Sequence, residues 1–180
     1  MKAEIIREIA FGAGVSATLN GEMLTVKGPK GEVSRSFRSP SITTTINQGK
    51  IVLQVKKGTK REKTMIGTFE AHIANMIKGV QEHHTYKLKI CSSHFPMNVS
   101  VVGKELLIKN FLGEAVPRKA KIVPGADVKV NGNEIIVTSP DRELAGMMAS
   151  RIENLCRITN RDRRIFQDGC YITHKVGRAI

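Results

Sequence analysis

The chain has 180 residues, 41% apolar and 25% charged, the balance of a folded protein of one ordinary or two small domains, which argues against disorder. Its 29 Lys and Arg against 16 Asp and Glu give a net charge of +13, a self-repulsion that a polyanion such as nucleic acid or an anionic membrane surface would relieve. No run of about 18 apolar residues is present, which excludes an ordinary transmembrane helix, and the opening MKAEIIREIAFGAGV, with Glu4 and Glu8, lacks the apolar core of a secretory signal.

From Val15 the pattern turns strand-like: VSATL, a tight turn at Asn20-Gly21, then MLTVK. Asn-Gly tolerates the positive φ values that such a hairpin turn needs. KGPKG (27–31) bends into EVSRSF, where Val33, Arg35 and Phe37 alternate; SITTTI, a turn over Asn47–Lys50 and the strand IVLQVK follow. Then the period changes. Thr59 with Glu62 three residues on is a capping-box pair. Beyond it Ile66, Phe69, Ile73 and Met76/Ile77 recur at helical spacing, with Gly79 placed to stop the helix.

The same order then begins again. YKLKIC (86–91), MNVSVV (97–102) and ELLIKNF (105–111) read as strands, followed by a turn at Pro124-Gly125, DVKV, a turn at Asn131-Gly132-Asn133, and EIIVT. Ser139-Pro140-Asp141 opens a second helix, with Ser139 as N-cap, Pro140 in the first turn, and Asp141 and Glu143 facing the positive helix end. Its apolar face is Leu144, Met148, Ile152 and Leu155.

Laid over each other, the halves correspond. LTVKGPKGE (24–32) sits over LLIKNFLGE (106–114), Gly49-Lys50-Ile51 over Asn133-Glu134-Ile135, and Ile73, Asn75 and Met76 over Ile152, Asn154 and Leu155. Three matches in the same order point to a duplicated unit. The expected fold is therefore α+β, with two tandem duplicated domains, 1–81 and 82–180, each an antiparallel-rich β-sheet with one α-helix packed on one face.

The second copy carries an addition. Between Arg157 and Tyr171, RITNRDRRIFQDGCY, lie Arg157, Arg161, Arg163 and Arg164, whereas the first helix ends near Lys78-Gly79 with no such cluster after it. Guanidinium keeps its charge at any working pH, and its planar fork matches phosphate oxygens. The first arginine also complements the negative end of the helix. The other three lie beyond the last apolar helical position and are free to point outward. The closing IFQDGCYI reads as a return to the sheet.

Several words in the chain carry a resemblance. NMIKGV (75–80), YKLKI, HFPMNV (94–99), IKNFLGE (108–114), Pro124-Gly125 and IFQDGCYI (165–172), taken together and in order, resemble the L-six family of large-subunit ribosomal proteins in its archaeal and eukaryotic branch. The likeness runs through essentially the whole chain and includes KGPKG. It implies two similar domains, a structural and non-enzymatic role on the cytoplasmic ribosome, and binding of large-subunit rRNA, chiefly by the second domain. It also implies a place near the stalk base and the sarcin-ricin loop, with neighbouring ribosomal proteins as partners and translation factors close by. The rRNA-binding candidates are Arg157, Arg161, Arg163 and Arg164, with Lys109, Asn110, Arg118, Lys119, Lys121 and Lys175.

Other chemistries find little support. KGPKG lacks the GxxxxGK[ST] spacing of a nucleotide P-loop and leads into a strand, so Lys27 and Lys30 have phosphate or solvent to meet. The five histidines show no metal-ligand spacing, and His83-His84 reads as an exposed junction. Cys91, Cys156 and Cys170 form no CxxC pair and read as reduced, buried thiols. No GxSxG, nucleophile–base pair or isolated carboxylate pair is present; Asp162 and Asp168 sit among arginines, where an ion pair or an Asp-Gly turn is the default. No cofactor, metal, small-molecule substrate or membrane partner is expected. With aromatics at 4% and no Trp, a stacking platform for single strands is disfavoured. A basic DNA- or chromatin-type module is the alternative that shares the charge.

Overall fold

The computed structural model of the protein describes residues 3–12, 14–47 and 49–180; Gln48, in the turn expected over 47–50, lies outside the described residues. The chain separates into one compact unit ending at His83 and a second, His84–Ile180.

The first unit contains β1 (Ala3–Ala10), β2 (Ser16–Asn20), β3 (Met23–Gly28), β4 (Gly31–Ser36), β5 (Thr43–Asn47), β6 (Lys50–Gly58) and the helix α1 (Lys60–Gln81). Two antiparallel three-stranded sheets form, in the orders β1-β6-β5 and β2-β3-β4. The period-two residues Leu24 and Val26 on β3 and Ile51 and Leu53 on β6 are fully buried, beneath Ile66 and Ile73 on one face of α1. Truncating any of these to Ala costs about 2–5 kcal/mol by the usual cavity rule. Thr59 starts the helix as expected, its amide donating to Glu62 Oε2 at 2.9 Å. Gly79 does not stop it. The helix runs on to Gln81, because Val80 is fully buried and its carbonyl accepts from Lys30 N at 2.9 Å. That tertiary contact outweighs the roughly 1 kcal/mol that glycine costs inside a helix.

KGPKG is held to this helix end. A Cβ at Gly28 would lie 2.8 Å from both the carbonyl oxygen and a methyl of Val80, so only glycine lets the strand approach so closely. His83 Nε2 donates to Lys30 O at 2.8 Å, and Lys27 pairs with Glu32 at 3.1 Å.

The second unit repeats the plan with β7 (His84–Cys91), β8 (Asn98–Val102), β9 (Glu105–Lys109), β10 (Arg118–Lys121), β11 (Asp127–Asn131), β12 (Glu134–Ser139) and α2 (Arg142–Leu155), then adds β13 (Gly169–Lys175) and β14 (Arg178–Ala179). Its sheets are β10-β9-β8 and β11-β12-β7-β13-β14, again antiparallel throughout. The order β7-β12-β11 copies β1-β6-β5, and β8-β9-β10 copies β2-β3-β4. The aligned pairs Leu24/Leu106, Ile51/Ile135 and Ile73/Ile152 are all fully buried, so the sequence correspondences fall on equivalent core positions. β13 and β14 extend the sheet on the side of β7 away from β12.

Three local expectations change. The N-cap of α2 is Asp141, not Ser139: Asp141 Oδ1 accepts from Glu143 N at 2.8 Å, while Ser139 is the last residue of β12 and its hydroxyl donates to Gly125 O at 2.7 Å. His84 is not exposed; it begins β7 and is buried. β1, β10 and β14 form where no strand was expected.

Candidate nucleic-acid interface

α1 and α2 align so that α2 stops where α1 continues, and the chain leaves at Cys156 to make the arginine loop. Both roots of this loop are buried. Cys156 and Ile158 fix the outgoing chain in the core, and Asp168 fixes the return, its carboxylate accepting from the amide and the hydroxyl of Ser93. Cys156 and Cys170 meet beneath the loop; their mutual hydrogen bond, and then burial, push the Cys170 thiol up.

The loop is ordered internally by Asp162. Its Oδ1 accepts from Arg164 N at 2.9 Å, its Oδ2 from Arg164 Nη2 at 2.7 Å, and its carbonyl from Ile165 N and Phe166 N at 3.1 and 2.9 Å. The hydrogen bond from Arg164 holds the Asp162 carboxyl below its ordinary range. The Arg164 side chain is nevertheless 90% exposed, so its pairing orients the fork without hiding it. Arg161 stands over the Phe166 ring, with Cζ 5.0 Å from the ring centre. Arg157 and Arg163 are exposed. All four arginines of the loop are thus exposed, and two of them, Arg161 and Arg164, are oriented by contacts within it.

Arg118 is different. Its Nε and Nη2 grip Glu114 at 2.8 and 2.6 Å, and its Nη1 donates to Leu155 O at 2.7 Å and, more weakly, to Arg157 O at 3.3 Å. Its Cζ lies 4.2 Å over the buried Phe111 ring. The guanidinium thus caps the open carbonyls of α2 and ties the root of the arginine loop to the 3-10 turn Phe111–Gly113. The hydrogen bond from Arg118 lowers the Glu114 carboxyl, and the same bond raises Arg118. So engaged, Arg118 is a poor donor to phosphate.

Lys109, Lys119 and Lys121 share one face of the β10-β9-β8 sheet. In register, Lys109 lies opposite Asn98, Lys119 opposite Leu107 and Lys121 opposite Glu105, and all three lysines are exposed. Arg118 alternates to the other side, toward α2. Asn110 follows in the left-handed region (φ 59°) with its amide donating to Pro96 O at 3.1 Å, which makes it a turn former. Lys175 ends β13, six residues from the loop's return at Gly169, or roughly 20 Å along an extended strand. It lies beside Arg178 across the β13–β14 hairpin and does not join the arginine loop.

Two lysines escaped the sequence reading. Lys87 and Lys89 on the central strand β7 are exposed, alternating with the buried Leu88 and Ile90, and Lys89 is in register with Tyr171 on β13. The alternation in YKLKIC was the available signal. Among the described residues no group of three or more His, Cys, Asp or Glu is placed to hold a metal, and no helix is long and apolar enough to cross a membrane.

These features define a basic, internally duplicated α+β protein whose second copy carries an anchored, arginine-rich loop. The Ribosomal protein L6 family pattern matches residues 11–83 and 95–169, one match to each unit. The large ribosomal subunit protein uL6 of Methanocella arvoryzae is 45% identical over 97% of this chain and 99% of its own. That of Methanosarcina mazei is 46% identical over the same shares, and that of Methanococcus vannielii 42% identical over 99% of this chain and 98% of its own. The chain belongs to the ribosomal protein L6 family, whose members are constituents of the large ribosomal subunit and not enzymes.

Proposed function

We propose that the chain binds folded large-subunit rRNA on the cytoplasmic ribosome chiefly through its second unit, near the stalk base and the sarcin-ricin loop, beside neighbouring ribosomal proteins and within reach of translation factors. The observation that carries the RNA contact is the arginine loop, anchored at both roots and exposing Arg157, Arg161, Arg163 and Arg164. Fixed cations displace condensed counterions from RNA phosphates without first losing side-chain and loop entropy. Lys109, Lys119 and Lys121 supply an adjoining cationic face, while Lys175 with Arg178 supplies a separate one. Specificity comes from the shape of an RNA junction, since the deep groove of A-form RNA hides most base edges. The placement near the stalk base and sarcin-ricin loop rests on the family likeness.

Crosslink mapping of the chain within sedimented large subunits tests this reading. RNA crosslinks are expected on 157–164 and on the β9–β10 lysines, to rRNA of the stalk-base region. Crosslinks confined to the first unit would overturn the division of labour. Equal displacement of bound rRNA by duplex DNA would favour the chromatin-type alternative.

A further inference from the structure

Between the arginine loop and the outer face of the five-stranded sheet lies an open groove of about 690 Å³, walled by Lys89, Ser93, Asn133, Arg163, Asp168 and Tyr171. We infer that this groove receives a single unstacked nucleotide of the bound RNA, with Tyr171 against the base and Lys89 and Arg163 on its phosphates. The inference rests on the rRNA-binding reading and adds to it a site of defined chemistry.

The volume suits a nucleotide, since small-ligand sites run to roughly 300–1,000 Å³. The charge is layered. Lys89 and Arg163 are exposed, whereas Asp168 is only 2% exposed. A phosphate therefore fits the rim beside the two cations, while Asp168, buried and bonded to Ser93, fixes the floor. Tyr171 is held as a wall: its ring lies against Gly169, where a Cβ would come within 3.2 Å of it, and its hydroxyl donates to Gln167 O at 3.1 Å. A pre-positioned aromatic face accepts a base at little entropic cost. Asn133 enters from the β11–β12 turn, whose backbone is pinned by Ile90 N donating to Asn133 O at 2.8 Å, leaving the side-chain amide to read a base edge. Single bases splayed from a loop or bulge are the usual targets of sequence-specific RNA recognition. One aromatic wall serves one base, which is consistent with a chain poor in aromatics.

The test uses the full chain and deproteinised large-subunit rRNA, reading affinity, its salt dependence and ultraviolet crosslinks. The wild type is expected to crosslink at Tyr171 or within Cys91–Ser93. Tyr171→Phe keeps affinity within about twofold, while Tyr171→Leu loses roughly 5- to 150-fold with an unchanged salt slope. Should Tyr171→Leu fail to fold, Asn133→Ala decides, with a loss of several-fold expected and unchanged affinity overturning the site. Normal wild-type binding with Tyr171→Leu equal to Tyr171→Phe and no crosslink in the groove overturns the pocket and leaves rRNA binding standing. No saturable wild-type binding at all overturns both.

Discussion

Replacing Arg118 by Ala tests whether this arginine, unlike those proposed to bind RNA, serves the fold. The substitution removes the charge-assisted bond to Leu155 O, worth about 1.5 kcal/mol, and the contact with Phe111 at 4.2 Å, worth roughly 0.5–1 kcal/mol. The Glu114 pair, with the Glu114 side chain 39% exposed, adds only about 0.5 kcal/mol after allowance for solvent screening. The sum is about 2.5–3 kcal/mol. With a urea m-value of about 1.3 kcal/mol/M for a unit of this size, the midpoint should fall by about 2 M. The chain has two tyrosines and no Trp, and both Tyr86 and Tyr171 lie in the second unit, so tyrosine fluorescence reads that unit alone. Arg118→Lys should recover only part of the loss, because an ammonium cannot fork onto Glu114 while capping the helix. A midpoint shift below about 0.4 M, together with a lower salt slope for rRNA binding, would refute the structural assignment and return Arg118 to the phosphate contacts.

Glu114 predicts an acid limb. Its carboxyl is lowered in the folded state by the hydrogen bond from Arg118, so its contribution is complete above the unfolded carboxylate value of about 4.3 and is lost as pH falls through the folded value. Glu114→Gln should therefore flatten the loss of second-unit stability below about pH 4, as read by tyrosine fluorescence; an unchanged acid limb would count against the pair. Gly28→Ala forces a Cβ to within 2.8 Å of Val80 and should destabilise the first unit by about 1–3 kcal/mol, seen as an earlier helix transition in circular dichroism. The tyrosine transition should stay in place, and a joint shift of both would show that the units do not unfold separately.

The duplication was legible because it is written in buried positions. Leu24 and Leu106, Ile51 and Ile135, and Ile73 and Ile152 keep their types where no exposed contact constrains the neighbours. β1 was not legible: AEIIREIA leaves Ile6 51% exposed, and its partner strand among the described residues, β6, lies forty or more residues away. β10 reads RKAK, with no apolar pattern, and is a strand because β9 pairs with it. Ser139 and Asp141 were both acceptable caps by type; the hydrogen bond of Ser139 to Gly125, distant in sequence, decided between them. At the candidate interface the arginine loop was visible as charge beyond the helix end. The engagement of Arg118 was not, because its partners Leu155 and Arg157 lie nearly forty residues on. The central lysines of β7 were readable from alternation alone, once Leu88 and Ile90 are taken as the buried face.

The central claim is that Arg161, Arg163 and Arg164 neutralise RNA phosphates from a loop held outward by the fold. Its most direct test is the slope of log affinity against log salt, between about 50 and 200 mM, for the chain and its triple Ala variant on deproteinised large-subunit rRNA. The account predicts that the variant retains the wild-type urea midpoint by tyrosine fluorescence and loses about 0.7–0.9 from the slope for each arginine that contacts phosphate, roughly 2–3 in all. A folded variant with the wild-type slope would contradict it.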